Sequence, residues 1–325
     1  MKNQTVKKID MQKVIIFGIL ILLLIFFSFA NPTFRRYTTF LSLMGYTYYI
    51  AFMAIGVTFP LLTGGVDLSI GTGLICYALT GGYLVVYKGW PVWLGLLVAV
   101  LFGVVIGLFN GFAVAVLDLP PFLATLCTCM ITRGLGSICS NGTGVPWPNG
   151  KASGAWFRSL FRLKINDFTI PIGIIWVVLA VFLMTLLLNH TKVGRYILAI
   201  GSNKEAARLC GINVVVYQIS AYVISGFFAG LAGIAFAASF ATIQPGLGAG
   251  FELDAIGAAI IGGVSTAGGY GTVTGTILGV LVISLLKTGL PYVGLQANWQ
   301  QIIIGIVLIS AIMIDIIRNK RARAS

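Results

Sequence analysis

Ten apolar runs, at residues 14–30, 41–62, 67–87, 92–117, 120–139, 168–188, 216–241, 252–266, 270–287 and 299–317, take up most of the chain. A hydrocarbon layer about 30 Å thick is crossed by about 20 apolar residues in a helix. The runs are continuous rather than alternating, and a bilayer accepts polar backbone only in helices or closed barrels. The sequence therefore predicts an all-α integral membrane protein with about ten transmembrane helices, folded as one domain over residues 1–325. Only 9% of residues are charged, against about 25% in a soluble domain.

A net charge of +13 is spread over short segments between the runs. It reads as a topology signal and predicts no nucleic-acid partner. With the N-terminus in the cytosol, 12 of the 21 Lys and Arg residues fall inside and eight outside, a modest positive-inside bias. The frame has a cytosolic tail at 1–13, an outer loop at 140–167, a cytosolic loop at 189–215 and a cytosolic tail at 318–325. Ser28 and Ala30 faintly resemble a signal-peptidase site, but the run before them exceeds the roughly 7 to 15 residues of a signal-peptide core, so a retained first helix is expected. In the outer loop, Trp147 and Trp156 suit the headgroup interface.

Small residues recur along the runs, as at Gly103, Gly107 and Gly111, and predict glycine-rich helix packing, because lipid supplies no hydrophobic drive between helices. Gly64-Gly65-Val66 and Gly262-Gly263-Val264 each precede a glycine- and threonine-rich helix start. They suggest a weak parallel internal repeat.

The chemistry available is limited. Five cysteines without a Cys-x-x-Cys pair and the single His190 predict no metal site. No nucleophile constellation is visible, so no catalytic residues are expected. None of the eight acids falls convincingly at mid-membrane in this frame, where a proton- or sodium-coupled carrier would hold one. No Gly-x-x-x-x-Gly-Lys-[Ser/Thr] loop occurs either. Energy is then expected from a separate ATPase, which points to the cytosolic loop. There Ser202 and Glu205 have capping-box spacing, and Gly211 suits a left-handed stop. The expected product is a two-turn knob with Ala206, Ala207 and Leu209 as contact surface and Lys204, Glu205 and Arg208 as polar rim.

Four stretches carry a family resemblance: GRYILAIGSNKEAARLCGI at 194–212, TGGVDLSIG at 63–71, LPPFLATL at 119–126 and FELDAIGAAIIGGVSTAGGYGTVTGT at 251–276. Together they resemble the ribose-type permeases of ATP-binding-cassette importers, over residues from about 40 to 317. The resemblance implies a multi-pass protein of the bacterial plasma (inner) membrane, in contact with lipid and paired with a second permease copy or paralogue. It also implies an ATP-binding-cassette ATPase below that holds ATP and Mg, a sugar-binding protein outside, and no cofactor on this chain. Lys204, Glu205, Ala206, Ala207, Arg208 and Gly211 inherit an ATPase-coupling role from it.

Asp67, with Ser69 nearby, sits where a helix begins at the cytosolic edge, as a cap or as part of a gate. Asn110, Thr125, Thr128 and Ser225 are candidates for the solute path, although such groups also bond between helices. Glu252 and Asp254 open the eighth run at the outer face, for the helix dipole or for contact with the binding protein. A branched-chain amino-acid permease and an ion-coupled secondary carrier are the alternative readings.

Overall fold

The computed structural model describes residues 11–150, 152–166 and 168–324. Lys2, Lys7, Lys8 and Asp10 of the predicted N-terminal tail, and Lys151 and Asp167 of the outer loop, lie outside the described residues. Helix α1 (Met11–Ala30) leads through a 3-10 turn (Pro32–Arg35) into α2 (Tyr37–Leu62), α3 (Ile70–Lys88), α4 (Val92–Ala115) and α5 (Pro121–Cys139). The outer loop holds a short α6 (Trp156–Ser159) and a small antiparallel hairpin, β1 (Leu163–Ile165) with β2 (Phe168–Ile170), in which Lys164 lies opposite Thr169. Then follow α7 (Gly173–His190), α8 (Lys192–Ser202), α9 (Lys204–Leu209), α10 (Val214–Ser239), α11 (Phe251–Ile261), α12 (Val273–Gly289) and α13 (Ala297–Ala324).

Each of the ten apolar runs contains a helix. Eight, namely α1 to α5, α7, α10 and α12, are long and apolar enough to cross a membrane. The eleven residues of α11 rise only about 16 Å, so the eighth run is a partial span. In α13 the apolar part is Asn298–Ser310. Residues 318–324, expected as a tail, continue α13 as helix.

The centre of the bundle is a seam between α4 and α10. A Cβ on Gly103 would run into the Gly226 carbonyl, one on Gly107 into the Tyr222 carbonyl, and one on Gly111 would lie 2.8 Å from Ile219 Cα. Three successive turns of α4 thus lie backbone-to-backbone on α10, the close approach that small residues permit. By contrast, a Cβ on Gly134 of α5 would meet nothing within 4 Å. Gly134→Ala is therefore expected to leave the protein unchanged or stabilise it by about 0.5–1 kcal/mol through helix propensity. Gly103→Ala is expected to lower the thermal midpoint of the purified protein.

Helices α2 and α11 stop by the same device. Gly65 N–H donates to Pro60 O (3.0 Å) and Gly64 N–H to Leu61 O (2.9 Å); Val264 N–H donates to Ala259 O (3.0 Å) and Gly263 N–H to Ile260 O (2.9 Å). Both are Schellman stops with a left-handed residue, Gly64 at φ +80° and Gly263 at φ +95°. The two stops match with a shift of one residue from the match of the two triplets, since Gly64 corresponds to Gly263. The two connections touch, with Gly269 N–H donating to Leu62 O at 2.9 Å, and the hydroxyls of Thr58 on α2 and Thr276 on α12 meet at 3.0 Å.

The outer loop is stitched to the bundle. Trp147, expected at the headgroups, is instead buried and donates Nε1–H to Ala78 O at 3.0 Å; Trp156 is exposed. The indole N–H needs an acceptor once the ring is buried, and a carbonyl of α3 supplies it. Arg158 donates to Pro148 O (2.8 Å) and Ala238 O (3.1 Å), and Arg162 to Leu41 O (3.1 Å). Burial pushes both guanidiniums below their ordinary pKa. The Ala238 carbonyl lies at the C-terminal end of α10, where the helix dipole favours a cation.

Away from this core, Ile16 and Phe27 of α1 form a separate buried cluster with Val282, Leu285 and Leu286 of α12.

Candidate functional site

At the end of the bundle assigned to the cytosol, α8 is amphipathic, with Ile197 and Ile200 buried. The turn from α7 is tight. Thr191 Oγ1 donates to Leu187 O (2.6 Å) and accepts from Gly194 N–H (3.3 Å), and a Cβ on Gly194 would strike the Leu188 backbone. At its other end, α8 presses Gly201 onto the joined connections, where a Cβ would meet the Leu62 carbonyl and the Gly269 amide. Backbone of α8 therefore lies against the end of α2 and against the connection between α11 and α12.

The capping box expected from Ser202 and Glu205 does not form. Ser202 already belongs to α8, its hydroxyl donating back to Leu198 O at 3.0 Å. A residue in helical geometry cannot cap the next helix. Asn203 does so instead. It is extended, at φ −160° and ψ 105°, and its Oδ1 accepts from Ala206 N–H at 2.9 Å. Helix α9 ends in a third Schellman stop, with Gly211 at φ +79° and bonds from Gly211 N–H to Arg208 O (3.0 Å) and Ile212 N–H to Ala207 O (3.1 Å). Ala207, expected on the contact surface, is buried with Ile200 and Val214, so it fastens the knob rather than presenting it. Lys204, Glu205, Ala206 and Arg208 are exposed, and Leu209 is 88% exposed.

Behind the first connection lies a buried carboxylate. Asp67 is 1% exposed. Its Oδ1 accepts from Ser69 N–H (3.0 Å) and Ser69 Oγ–H (2.6 Å), and its Oδ2 from Ser225 Oγ–H (2.7 Å) of α10. Asn110 of α4 donates Nδ2–H to Ser69 Oγ at 2.8 Å and stands 3.5 Å from Asp67 Oδ1.

Gly103 and Gly226, near the middles of α4 and α10, face each other, and Ser225 adjoins Gly226. Asn110, however, stands five residues before the end of α4, so the carboxylate sits inside that helix pair, between its middle and its cytosolic end. This corrects the cytosolic-edge placement of Asp67, which is buried inside the bundle. After the left-handed stop the chain turns back into the bundle, so α3 begins inside it. Four of the six path candidates, Asp67, Ser69, Asn110 and Ser225, come together here. Thr125 stands beside them, donating to Val66 O at 3.3 Å. Thr128 is apart, its hydroxyl bonded to Ala124 O of its own helix at 3.0 Å.

The two acids of α11 turn inward. Asp254 is 3% exposed and forms an ion pair with Lys287 of α12. Burial without that partner would be costly. Glu252 is half-buried against Gly71 of α3 and accepts from Gly250 N–H at 3.0 Å. Neither stands out from the surface as a contact for a protein docked outside.

A family model described as the branched-chain amino acid transport system permease component matches residues 39–312. The chain belongs to this permease family. It is 35% identical over 302 residues to the ribose import permease protein RbsC of Escherichia coli K12, covering 91% of each chain. It is 31% identical over 319 residues to the galactose/methyl galactoside import permease protein MglC of the same strain, covering 95% of each. To the fructose import permease protein FruG of Bifidobacterium longum NCC 2705 it is 33% identical over 272 residues, 82% of this chain and 79% of that one. No solved structure matches.

Sequence reasoning missed three parts of the permease's site. Gly201 was legible in principle, since an isolated glycine inside a helical pattern marks a close approach. Asn203 was hidden by its neighbour, because Ser and Asn are equally good caps. Lys287, 33 residues from Asp254, has no local signal at all.

Proposed function

We propose that the chain is the membrane permease subunit of an ATP-driven, binding-protein-dependent importer of a monosaccharide in the bacterial inner membrane. The observation that carries this reading is the match, over nearly the whole chain, to permeases named for ribose, galactose and fructose import. It favours a sugar over the amino acids in the family's description. With Asp67 buried inside the bundle, the placement of acids no longer argues against an ion-coupled carrier; kinship with import permeases takes over that part of the argument. The chain is a transport subunit and not an enzyme. ATP and Mg belong to a partner ATPase, a sugar-binding protein docks outside, and a second permease copy or paralogue completes the path.

In this reading α9 is the coupling helix. Lys204, Glu205, Ala206, Arg208 and Leu209 meet the ATPase, while Ala207 and Gly211 hold the helix in shape. An apolar side chain exposed beside charges suits the buried centre of a docked interface with a polar rim. Movement of α9 passes through α8 and Gly201 to both connections, and from the first of them to Asp67. The Asp67 network, which joins that connection to α4 and α10, acts as the latch of the gate.

The test is affinity purification of the tagged chain in mild detergent. Wild type is expected to retain its ATPase, and Glu205→Arg, Arg208→Glu and Leu209→Asp to lose it at least tenfold, with unchanged thermal midpoints because all three side chains are exposed. An ATPase held equally by wild type and all three variants would sink the assignment of α9.

A further inference from the structure

A second feature lies on the other side of the molecule, near the outer ends of α10, α12 and α13. A cavity of about 610 Å³ opens between these helices, α2 and α11, within the range of small-molecule sites. Its walls are of two kinds. Tyr46 and Phe240 form an edge-on pair with ring centroids 5.9 Å apart. The Asp254–Lys287 ion pair, Gln300 and Gln301 line the same space. Lys287 Nζ also lies 4.9 Å from the centre of the Phe251 ring.

The ion pair favours a polar occupant of this space over an apolar one. A lysine ammonium has three donors and a carboxylate about four acceptor sites; their mutual bond uses one of each. A lipid tail entering the cavity would leave the remaining capacity unsatisfied at a cost of several kcal/mol. A hydroxylated ring would satisfy it, because its hydroxyls both donate and accept while its C–H faces lie on aromatic rings. Gly305 of α13 also lines the cavity, and a Cβ there would meet nothing within 4 Å. The space thus reaches the helix backbone.

We infer that this cavity is an antechamber for the transported sugar, in which Asp254, Lys287 and Gln300 bond its hydroxyls and Tyr46 and Phe240 carry its apolar face. The inference rests on the importer reading and adds a place where the permease itself holds the solute. Asp254 then serves the solute rather than the binding protein.

The test uses the full complex of permease, ATPase and binding protein in vesicles, supplied in turn with radiolabelled ribose, galactose and fructose. Gly305→Ala, Gly305→Leu and Gly305→Phe fill the cavity progressively without an initial clash, and each side chain is a better helix former than glycine. Uptake is expected to fall stepwise, at least tenfold by the Leu variant, while binding-protein-stimulated ATP hydrolysis stays within twofold of wild type. Lys287→Met with Asp254→Asn, which removes the charges together, is expected to cost uptake a similar factor. Uptake within twofold of wild type in both the Leu variant and the double variant would overturn the antechamber alone. A wild-type complex that imports none of the three sugars would instead sink the importer reading, and the antechamber with it.

Discussion

Asp67→Ala is expected to destabilise the purified permease by about 3–5 kcal/mol and to abolish uptake. The substitution takes the acceptor from the hydroxyls of Ser69 and Ser225 and leaves both facing an empty space in a buried position. Hydrogen bonds to a charged group are worth about 1.5–3 kcal/mol each, and abandoned buried donors about 1–3. Asp67→Asn keeps the shape and two polar atoms, and the serine hydroxyls can rotate to suit it. Its stability loss is expected to be about 1 kcal/mol. The pair therefore separates fold from mechanism: if the carboxylate is the latch, the Asn variant folds, assembles with its ATPase and still imports at least tenfold more slowly. A thermal midpoint for Asp67→Ala within a degree of wild type would show that the network carries no stability.

The second large effect is expected from one methyl group. Gly201→Ala puts a Cβ into the Leu62 carbonyl and the Gly269 amide, which are themselves hydrogen-bonded at 2.9 Å. Backbone atoms in two buried turns cannot yield as a side-chain tip can. Either that bond breaks or α8 lifts off. The exposed face of α9 is unaltered in both cases, so the ATPase is expected to co-purify and hydrolyse ATP while uptake falls at least tenfold. Uptake near the wild-type level would mean that motion reaches the bundle by another route.

The sequence resolved some levels of this structure and not others. Each of the ten apolar runs contains a helix because the bilayer leaves its backbone little other choice, and the glycine spacing of α4 predicts a close helix contact, without naming α10 as the partner. Depth was not legible. Asp67 stands five residues after the end of α2 and reads as an edge residue; only the reversal after Gly64 brings it inside the bundle. Helix α8 reads as part of a loop because its apolar residues cover one face only, too few for a span. The knob was found but its faces were confused. Ala207 and Leu209 look alike as helix formers, and only the packing of Ile200 and Val214 decides that the first is inside and the second outside. The convergence of Asn110 and Ser225 on Asp67 joins three distant parts of the chain, and nothing local announces it.

The separate cluster that α1 makes with α12 bears on how this protein is born. Helix α1 is synthesised well before its partners Val282, Leu285 and Leu286, because α2 to α11 lie between them in the chain. At about 5–20 residues per second, α1 waits on the order of tens of seconds alone in lipid. It meets that wait with a surface that needs no neighbour: a mean hydropathy of 2.8 over Lys13–Ala30 and one glycine, Gly18. Docking of α1 is then a late event that clasps a bundle already assembled, and a nascent chain halted before α12 should hold α1 inserted but unpaired.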